Sequence, residues 1–300
     1  MRAIIVSQYG GPDVLRLSDV ALPEPGPGQV RVAVRAAGVN PADWKLRSGS
    51  LHGRVPVTFP YTPGLELAGV VDAAGPGAEP AVGDEVFGWA DTGAYAEYAL
   101  ASKVAPKPAA LSWADAATLP IAGASALRDL GTLGIRAGET LLIHGAGGTT
   151  GRFAAQVALA LGATVIGTAS ARHHDDLRAL GVVPVVYGDG WPDRVRAAAP
   201  GPVDAVYDAA GHGLLPGSIE LRGTTDRIIT IADEAAFALG IPFAVGGEQT
   251  RENLEEVARW VTERGVRITH RRPYPLAEAA AAQSESEAGH PGGKLTLAIP

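Results

Sequence analysis

The chain has 300 residues, 46% apolar and 19% charged, a composition that suits a globular protein and excludes a mainly disordered one. Its net charge is −7 and its lysines and arginines form no block, which excludes nucleic acid as the main partner. It has no cysteine, which excludes a disulfide framework, a thiolate nucleophile and a cysteine-ligated zinc site.

The first hundred residues are predicted to form short strands separated by glycine- and proline-rich turns. Val30, Val32 and Val34 alternate with polar Gln29 and Arg31, which is the period-2 pattern of a half-buried antiparallel strand. The predicted strands cover residues 3–7, 29–34, 66–72, 85–89 and 94–100. Many short strands at this spacing predict a small, mainly β barrel or sandwich.

After about residue 112, continuously apolar strands alternate with segments of helical length. The predicted strands cover residues 140–144, 164–168, 182–187, 203–208 and 227–231, with a sixth at 241–245. Strands that are apolar on both faces and linked by helices predict a parallel sheet covered on both sides. Residues 152–161 form a predicted crossover helix, and residues 251–263 a helix that Thr250 caps. The tail, residues 295–299, is a predicted strand that returns to the first domain.

An apolar strand ending at His144 runs directly into a glycine-rich turn and then into a predicted helix. Glycine at such a turn lets the backbone approach a pyrophosphate, and the N–H groups and dipole of the helix then bind its charge. This context predicts a dinucleotide-binding loop, with a tight turn that binds no ligand as the alternative. The predicted loop residues are Gly145, Gly147, Gly148, Thr149, Thr150 and Gly151.

The end of the second predicted parallel strand indicates which cofactor binds. NAD enzymes usually place a carboxylate there, roughly 20 residues after the glycines, to bind the ribose 2′-hydroxyl. This chain has Ser170 and Arg172 instead, and a hydroxyl with a guanidinium suits a 2′-phosphate. Asp175 and Asp176 follow later and are expected in the solvated first turn of a helix. The sequence therefore favours NADP(H) over NAD(H).

Several ordered motifs extend over nearly the whole chain. They are GVNPADWK at residues 38–45, PGLELAG at 63–69, VGDEVFG at 82–88, GAYAEY at 93–98, the glycine-rich loop, residues 203–211 and HPGGK at 290–294. In this order and spacing they resemble the zinc-independent, quinone oxidoreductase-like (zeta-crystallin-like) branch of the medium-chain dehydrogenase/reductase superfamily.

The resemblance implies an α/β protein of two domains that forms a homodimer. A GroES-like, mainly β barrel domain is expected over residues 1–117 and 270–300, and a Rossmann domain with a doubly wound parallel sheet over residues 118–269. The resemblance places Asn40 and Asp43 at the substrate end of a cleft. It assigns cofactor contacts to Ser125, Gly145, Gly148, Gly151, Ser170, Arg172, Tyr187, Ala210, Gly211, Ile231 and Ala232.

The chain departs from the zinc-dependent members of the superfamily at their ligand positions. Those members carry a cysteine where this chain has Asn40 and a histidine where it has Leu65. Polarisation of a carbonyl by zinc is therefore not expected, and no metal site is predicted. Lys45 stands where relatives often carry a tyrosine, and Thr149-Thr150 where they favour Gly-Val.

Without a metal, the expected chemistry is hydride transfer from NADPH to a quinone or to an α,β-unsaturated carbonyl. Asn40 is predicted to donate a hydrogen bond to the developing oxyanion. Lys45 is predicted to do the same or to supply the proton, with Asp43 paired to it. Simpler interpretations stay open, in which Asn40 caps a turn and Asp43 and Lys45 are a solvated pair. Glu66 is expected to form a structural ion pair.

Two other functions stay open at this stage. One is a dedicated biosynthetic enoyl reductase, or tailoring enzyme, that acts on a polyketide-like intermediate. The other is an NADPH-binding regulatory or structural protein with little turnover. No segment approaches the roughly 18 apolar residues of a membrane-spanning helix, so we expect a cytoplasmic protein whose partner is a small molecule rather than a membrane.

Overall fold

A computed structural model describes residues 1–244, 246–289 and 292–300. The strands are β1 (Arg2–Ile5), β2 (Arg16–Asp19), β3 (Val30–Val39), β4 (Glu66–Ala74), β5 (Glu85–Trp89), β6 (Tyr98–Ala101), β7 (Lys103–Pro106), β8 (Thr140–His144), β9 (Thr164–Ala169), β10 (Val183–Val186), β11 (Ala205–Asp208), β12 (Ile228–Thr230), β13 (Tyr274–Pro275) and β14 (Leu295–Ala298). The α-helices are α1 (Pro41–Ser48), α2 (Trp113–Ala116), α3 (Leu119–Leu133), α4 (Thr149–Ala160), α5 (His174–Ala179), α6 (Trp191–Ala198), α7 (Leu215–Arg222), α8 (Ala236–Leu239), α9 (Arg251–Thr262) and α10 (Ala279–Glu287). Single 3₁₀ turns lie at Pro12–Val14, Ala171–His173 and Leu276–Glu278.

The described residues form two compact units. The first comprises Met1–Ile121, Gln249–Thr262 and Ile268–Pro300, and the second comprises Ala122–Glu248 and Glu263–Arg267. Helix α9 belongs to the first unit, where it packs against β7, whereas the sequence-based boundaries placed it in the dinucleotide-binding domain. The difference arises because α9 buries its apolar side, including Leu254 and Val257, on a sheet that its position in the chain does not reveal. Its N-terminal cap is as predicted, since the Asn253 N–H donates to Thr250 Oγ1 at 3.2 Å.

The first unit contains a seven-stranded sheet in the order β13-β14-β3-β4-β5-β7, with β6 also paired to β3. Strand β3 lies at its centre, and its alternating valines Val30, Val32 and Val34 are buried, as the period-2 pattern predicted. Strand β14 pairs antiparallel with β3, so the tail does return to the first domain. Of the HPGGK motif near it, His290 and Pro291 lie outside the described residues.

One predicted strand of the first unit is shorter than expected. The pattern over residues 94–100 predicted a strand, but the strand begins only at Tyr98. The preceding backbone instead pairs with a turn, because the Ala94 and Tyr95 N–H groups donate to the Gly64 and Pro63 carbonyls. This pairing positions Tyr95 beside the candidate site described below.

The second unit is built on a parallel sheet in the order β10-β9-β8-β11-β12. Every residue of β8 is buried, as expected for a central strand covered by helices on both faces. This is the doubly wound Rossmann arrangement that the sequence indicated. The predicted sixth strand over residues 241–245 is reduced to a parallel bridge between Thr230 and Phe243, and Val245 lies outside the described residues. In the described part of the chain, no helix is both long and apolar enough to cross a membrane.

A buried arginine joins α1 to α10 within the first unit. Arg47 has no exposed surface, and its guanidinium donates to Gln283 Oε1 at 2.8 Å, to the Gly10 carbonyl at 2.9 Å and to the Glu287 carboxylate. A guanidinium can satisfy three partners at once because its donors form a rigid planar fork. The C-terminal helix is thereby anchored to the helix that follows β3.

We predict that Arg47→Met lowers the free energy of unfolding by about 3 kcal/mol, because it leaves buried acceptors without a donor. The measurement is urea unfolding followed by circular dichroism. The control is Arg178→Met, because Arg178 is 59% exposed and its side chain pairs with the exposed Asp175, so its loss should change stability by less than ~1 kcal/mol. Equal stability of the two variants would contradict this role of Arg47.

Candidate functional site

The glycine-rich loop between β8 and α4 has the close backbone approach that a pyrophosphate site requires. Gly145 adopts a positive φ of 76°, which side chains other than glycine rarely accept. A Cβ on Gly151 would lie 2.3 Å from the Gly145 carbonyl oxygen, so only glycine lets the first turn of α4 pack this tightly. Gly148 is the N-cap of α4, and Thr149 and Thr150 begin the helix. The predicted loop residues therefore lie together at one helix N-terminus.

The side chain of His144 anchors the end of β8, where this loop begins. It is fully buried, with Nδ1 3.0 Å from Thr168 Oγ1 and Nε2 3.0 Å from Ser218 Oγ. Its ring meets the Trp191 ring edge-on, at 4.6 Å between centroids. Burial lowers its pKa to about 3, so the imidazole is neutral and donates from one nitrogen while the other accepts. His144 had no predicted role; a polar residue at the end of an apolar strand was the available signal.

The end of β9 carries the residues expected to select the cofactor. Ser170 follows the strand, and its Oγ is buried without a hydrogen-bond partner among the described residues. Arg172 is exposed one turn later, with Nε 3.3 Å from Nε2 of His173. His173 also covers the glycine-rich loop, because a Cβ on Gly147 would lie 2.7 Å from its ring.

The first carboxylates that follow β9 in the chain lie beyond the strand end, as the sequence indicated. Asp175 and Asp176 are in the first turn of α5, where Asp175 is 99% exposed and pairs with Arg178. Tyr187 follows β10 and is also exposed. The loop that carries Tyr187 is held by Arg194, whose guanidinium donates to the carbonyls of residues 186–189.

A buried carboxylate organises the two loops that follow β11 and β12. Asp208 Oδ1 accepts the N–H groups of Ala210 at 3.0 Å and Gly211 at 2.9 Å, and its Oδ2 accepts the Thr230 hydroxyl at 2.7 Å. Thr230 Oγ1 accepts in turn the N–H of Ala232 at 3.0 Å. Asp208 thus holds the predicted cofactor contacts Ala210 and Gly211 directly, and Ala232 through Thr230. The predicted contact Ile231 lies between Thr230 and Ala232 in the chain. The predicted contact Ser125 lies in α3 of the same unit.

In the first unit, Asn40 is part of a closed polar cluster with Glu66 and Lys294. The Lys294 ammonium donates to Asn40 Oδ1 at 2.5 Å and to Glu66 Oε1 at 2.7 Å, and Asn40 Nδ2 donates to Glu66 Oε1 at 2.8 Å. All three side chains are at most 4% exposed. The expected ion pair of Glu66 is confirmed, and its partner is Lys294. Asn40 also begins α1, so both its polar atoms and its backbone are committed within the protein.

This cluster and the adjacent Leu65 cover the positions at which zinc-dependent relatives carry two ligands and a neighbouring acid. Asn40 stands for the cysteine and Leu65 for the histidine, and neither an amide in contact with an ammonium nor a leucine is a zinc ligand. Among the residues that the structure describes, no group of three or more histidine, aspartate or glutamate side chains is arranged to hold a metal ion. A lysine ammonium supplies the positive charge beside Glu66.

Asp43 and Lys45 are not brought together, although both lie on α1. Asp43 Oδ2 accepts the Asn40 N–H at 2.8 Å and the Tyr95 hydroxyl at 3.0 Å, while the Lys45 ammonium lies 5.7 Å from the Trp44 ring centre. The expected Asp43–Lys45 pair is therefore replaced by a bond to Tyr95, because Asp43 faces the interior and Lys45 is part-exposed. Tyr95 was missed in the sequence, where it read only as a strand residue.

Burial controls the protonation of Asp43. The side chain is 1% exposed, and desolvation raises its pKa to about 7 against the opposing effects of the Asn40 N–H, the Tyr95 hydroxyl and the Lys294 charge. The neighbouring Glu66 charge raises the pKa further. At neutral pH this carboxyl group therefore exists in both its acidic and its ionised form.

Asp43 lines a groove of about 490 Å³ in the first unit. The groove wall is mostly apolar and includes Ile5, Leu46 and Leu65. Tyr61 also lines it, and the Tyr61 hydroxyl is buried without a hydrogen-bond partner among the described residues. Apolar walls with a few polar atoms are typical of small-molecule sites. The groove is therefore the candidate acceptor site of this unit.

Comparisons with known proteins agree with the two kinds of domain described above. Residues 26–109 match the family model of the alcohol dehydrogenase GroES-like domain, and residues 180–297 match the model named zinc-binding dehydrogenase. The rat quinone oxidoreductase is 31% identical over 98% of this chain and 96% of its own length. The quinone oxidoreductase of Coxiella burnetii superposes with a TM-score of 0.89 at 33% identity, covering 100% and 99% of the two chains. A mycobacterial protein solved in complex with NADPH gives 0.86 at 27% identity, covering 99% and 100%.

The chain thus combines a glycine-rich loop at a helix N-terminus in one unit with an apolar groove beside a buried polar cluster in the other. The similarity to quinone oxidoreductases extends over almost the full length of this chain in sequence and in structure. This chain belongs to the quinone oxidoreductase-like branch of the medium-chain dehydrogenase/reductase superfamily, and it is an oxidoreductase.

Proposed function

We propose that this oxidoreductase uses NADPH to reduce a quinone or an α,β-unsaturated carbonyl compound without a metal. The observation that carries the choice of cofactor is the end of β9, where Ser170 and Arg172 stand in place of a carboxylate. A carboxylate there would repel a 2′-phosphate, whereas a guanidinium and a hydroxyl attract and hydrogen-bond to it.

The residues of the second unit fit such a cofactor. The buried Ser170 Oγ has no hydrogen-bond partner in the described part of the chain, and a phosphate oxygen at the strand end would supply one. The loop from Gly145 to Gly151 would hold the pyrophosphate, and Tyr187 together with Arg172 the adenosine end. The nicotinamide end would be held by Ser125, Ala210, Gly211, Ile231 and Ala232. The mycobacterial relative in complex with NADPH supports the same choice.

The character of the acceptor follows from the groove of the first unit. NADPH, when bound, supplies the hydride. A simple ketone would need its oxygen polarised by a strong positive charge, and the groove offers instead apolar walls with uncharged or acidic polar residues, namely Asp43, Tyr61, Thr62, Asp91 and Thr92. Quinones and enones accept hydride because conjugation spreads the developing charge onto an oxygen, where neutral hydrogen-bond donors are sufficient. The names of the similar quinone oxidoreductases agree with this class.

We predict that Arg172→Ala weakens NADPH binding by about tenfold to a hundredfold, because one charge-assisted hydrogen bond to the 2′-phosphate is lost. NADH binding should be unchanged, since NADH has no such phosphate. Both dissociation constants are measured by fluorescence titration. Arg178→Ala is the matched control, because it removes an exposed arginine from the adjacent helix. Wild-type protein that binds NADH as tightly as NADPH would overturn the cofactor assignment.

Turnover tests the acceptor class with a matched pair of ketones. We predict that the enzyme oxidises NADPH in the presence of menadione and of cyclohexenone but not of cyclohexanone, which lacks only the conjugated double bond. The rate is followed as the loss of NADPH absorbance. Faster reduction of cyclohexanone than of cyclohexenone would refute the conjugated acceptor. NADPH binding without oxidation by either conjugated compound would refute the proposed reductase and favour a protein that only binds the cofactor.

A further inference from the structure

The buried cluster of Asn40, Glu66 and Lys294 places an amine against a side-chain amide. The Lys294 Nζ lies 2.5 Å from Asn40 Oδ1. Because a carbonyl bond is about 1.23 Å long, Nζ lies at most about 3.7 Å from the amide carbon, Cγ. Atoms held roughly 3–3.5 Å apart are in range to react, and a lysine amine that has lost its proton attacks carbonyl carbons. The nitrogen of Lys294 is therefore at or close to reacting distance from Asn40.

The backbone of the first unit brings these two side chains together. Strand β14 pairs antiparallel with β3, and Leu295 lies opposite Val39. Lys294 and Asn40 are the adjoining residues, just outside the two paired strands. The Lys294 N–H also donates to the Thr269 carbonyl at 2.7 Å, which fixes the Lys294 backbone on its other side. The contact between the amine and the amide is thus set by the pairing of the sheet and not by the two side chains alone.

One oxygen of Glu66 connects the nitrogen that would attack to the nitrogen that would leave. Glu66 Oε1 accepts from Lys294 Nζ at 2.7 Å and from Asn40 Nδ2 at 2.8 Å. The orientation of the amide follows from its partners, because its oxygen must face the ammonium and its NH₂ group the carboxylate. The other oxygen, Oε2, is held by the Ile121 N–H at 2.8 Å. Oε1 can therefore take a proton from one nitrogen and give a proton to the other without moving.

Burial favours a reaction that removes the charges of this cluster. All three side chains are at most 4% exposed. A buried ammonium and a buried carboxylate each carry a desolvation cost that their mutual attraction offsets only in part. An amide and a neutral carboxylic acid in the same place would carry no net charge. Condensation of the amine with the amide thus relieves the cost of burying the pair.

We propose that Lys294 and Asn40 form an amide crosslink within the folded chain, with Glu66 transferring the protons. Nζ gives a proton to Glu66 Oε1 and forms a bond to Asn40 Cγ, and the Cγ–Nδ2 bond breaks. Of the two protons that Nζ loses, one ends on Nδ2, which leaves as ammonia, and the other stays on Glu66, which becomes a neutral acid. No electrons are transferred, so no oxidant or cofactor takes part. The bond joins residues 254 positions apart and is independent of the proposed reductase function.

The decisive measurement is the intact mass of the purified full chain after denaturation. The crosslinked protein should be lighter than its sequence by one ammonia, about 17 Da. Tryptic digestion should yield the peptide that contains Asn40 joined to the peptide that contains Lys294. Asn40 cannot lose ammonia by cyclising onto the next backbone nitrogen, because Pro41 has no N–H. A chain that keeps its full sequence mass, both when fresh and after prolonged incubation in the folded state, overturns the proposal.

Conservative variants test the role of each group. Lys294→Arg keeps the charge but has no primary amine, and Glu66→Gln keeps the size of the side chain but cannot take up a proton. Both should have their full sequence mass, whereas Lys103→Arg, at an exposed lysine, should show the same loss as wild type. Loss of ammonia in Lys294→Arg, or a link between other residues, overturns the crosslink, and loss in Glu66→Gln overturns the proton transfer. The wild-type mass alone decides whether the bond forms, so a variant that does not fold leaves the test valid.

Discussion

The buried carboxylate of Glu66 is the constraint on which the first unit depends. It has no exposed surface, so its charge must be compensated inside the protein. Oε1 receives the Lys294 ammonium and the Asn40 amide, and Oε2 accepts the Ile121 N–H at 2.8 Å. These bonds join β4 to the end of β3, the first turn of α3 and the segment before β14. Gly38 is required beside them, because a Cβ there would lie 2.1 Å from Glu66 Oε1.

The chemistry of the groove follows from how that charge is compensated. A lysine side chain provides the compensation, and the buried amide of Asn40 takes part in it through Oδ1, which accepts from Lys294, and through one N–H, which donates to Glu66. Asp43, one turn further along α1, borders the same cluster but receives no short contact from Lys294. It is left as a buried acid of raised pKa at the groove wall. The second unit also has a buried carboxyl group, that of Asp208. There the hydrogen bonds come from the two loops that Asp208 orders rather than from a lysine.

The local sequence pattern was sufficient to predict the central strand and the glycine-rich loop of the second unit, and insufficient to predict the site of the first unit. Strand β8 is apolar throughout and runs into glycines, so its place and the loop after it were predictable from a dozen adjacent residues. The Lys294–Glu66 and Lys294–Asn40 contacts join residues 228 and 254 positions apart, which no periodicity records. Asp43 and Lys45 looked like a pair because they are close in sequence. On a helix, however, positions two apart point to different sides, and here one faces the interior and the other does not.

The most direct test of the central claim, reduction of the acceptor without a metal, is turnover after removal of metal ions. The enzyme is dialysed against EDTA, its zinc content is measured, and NADPH oxidation by menadione is compared before and after. The account predicts an unchanged rate in protein that contains no zinc. A rate that falls on dialysis and returns when zinc is added would contradict it.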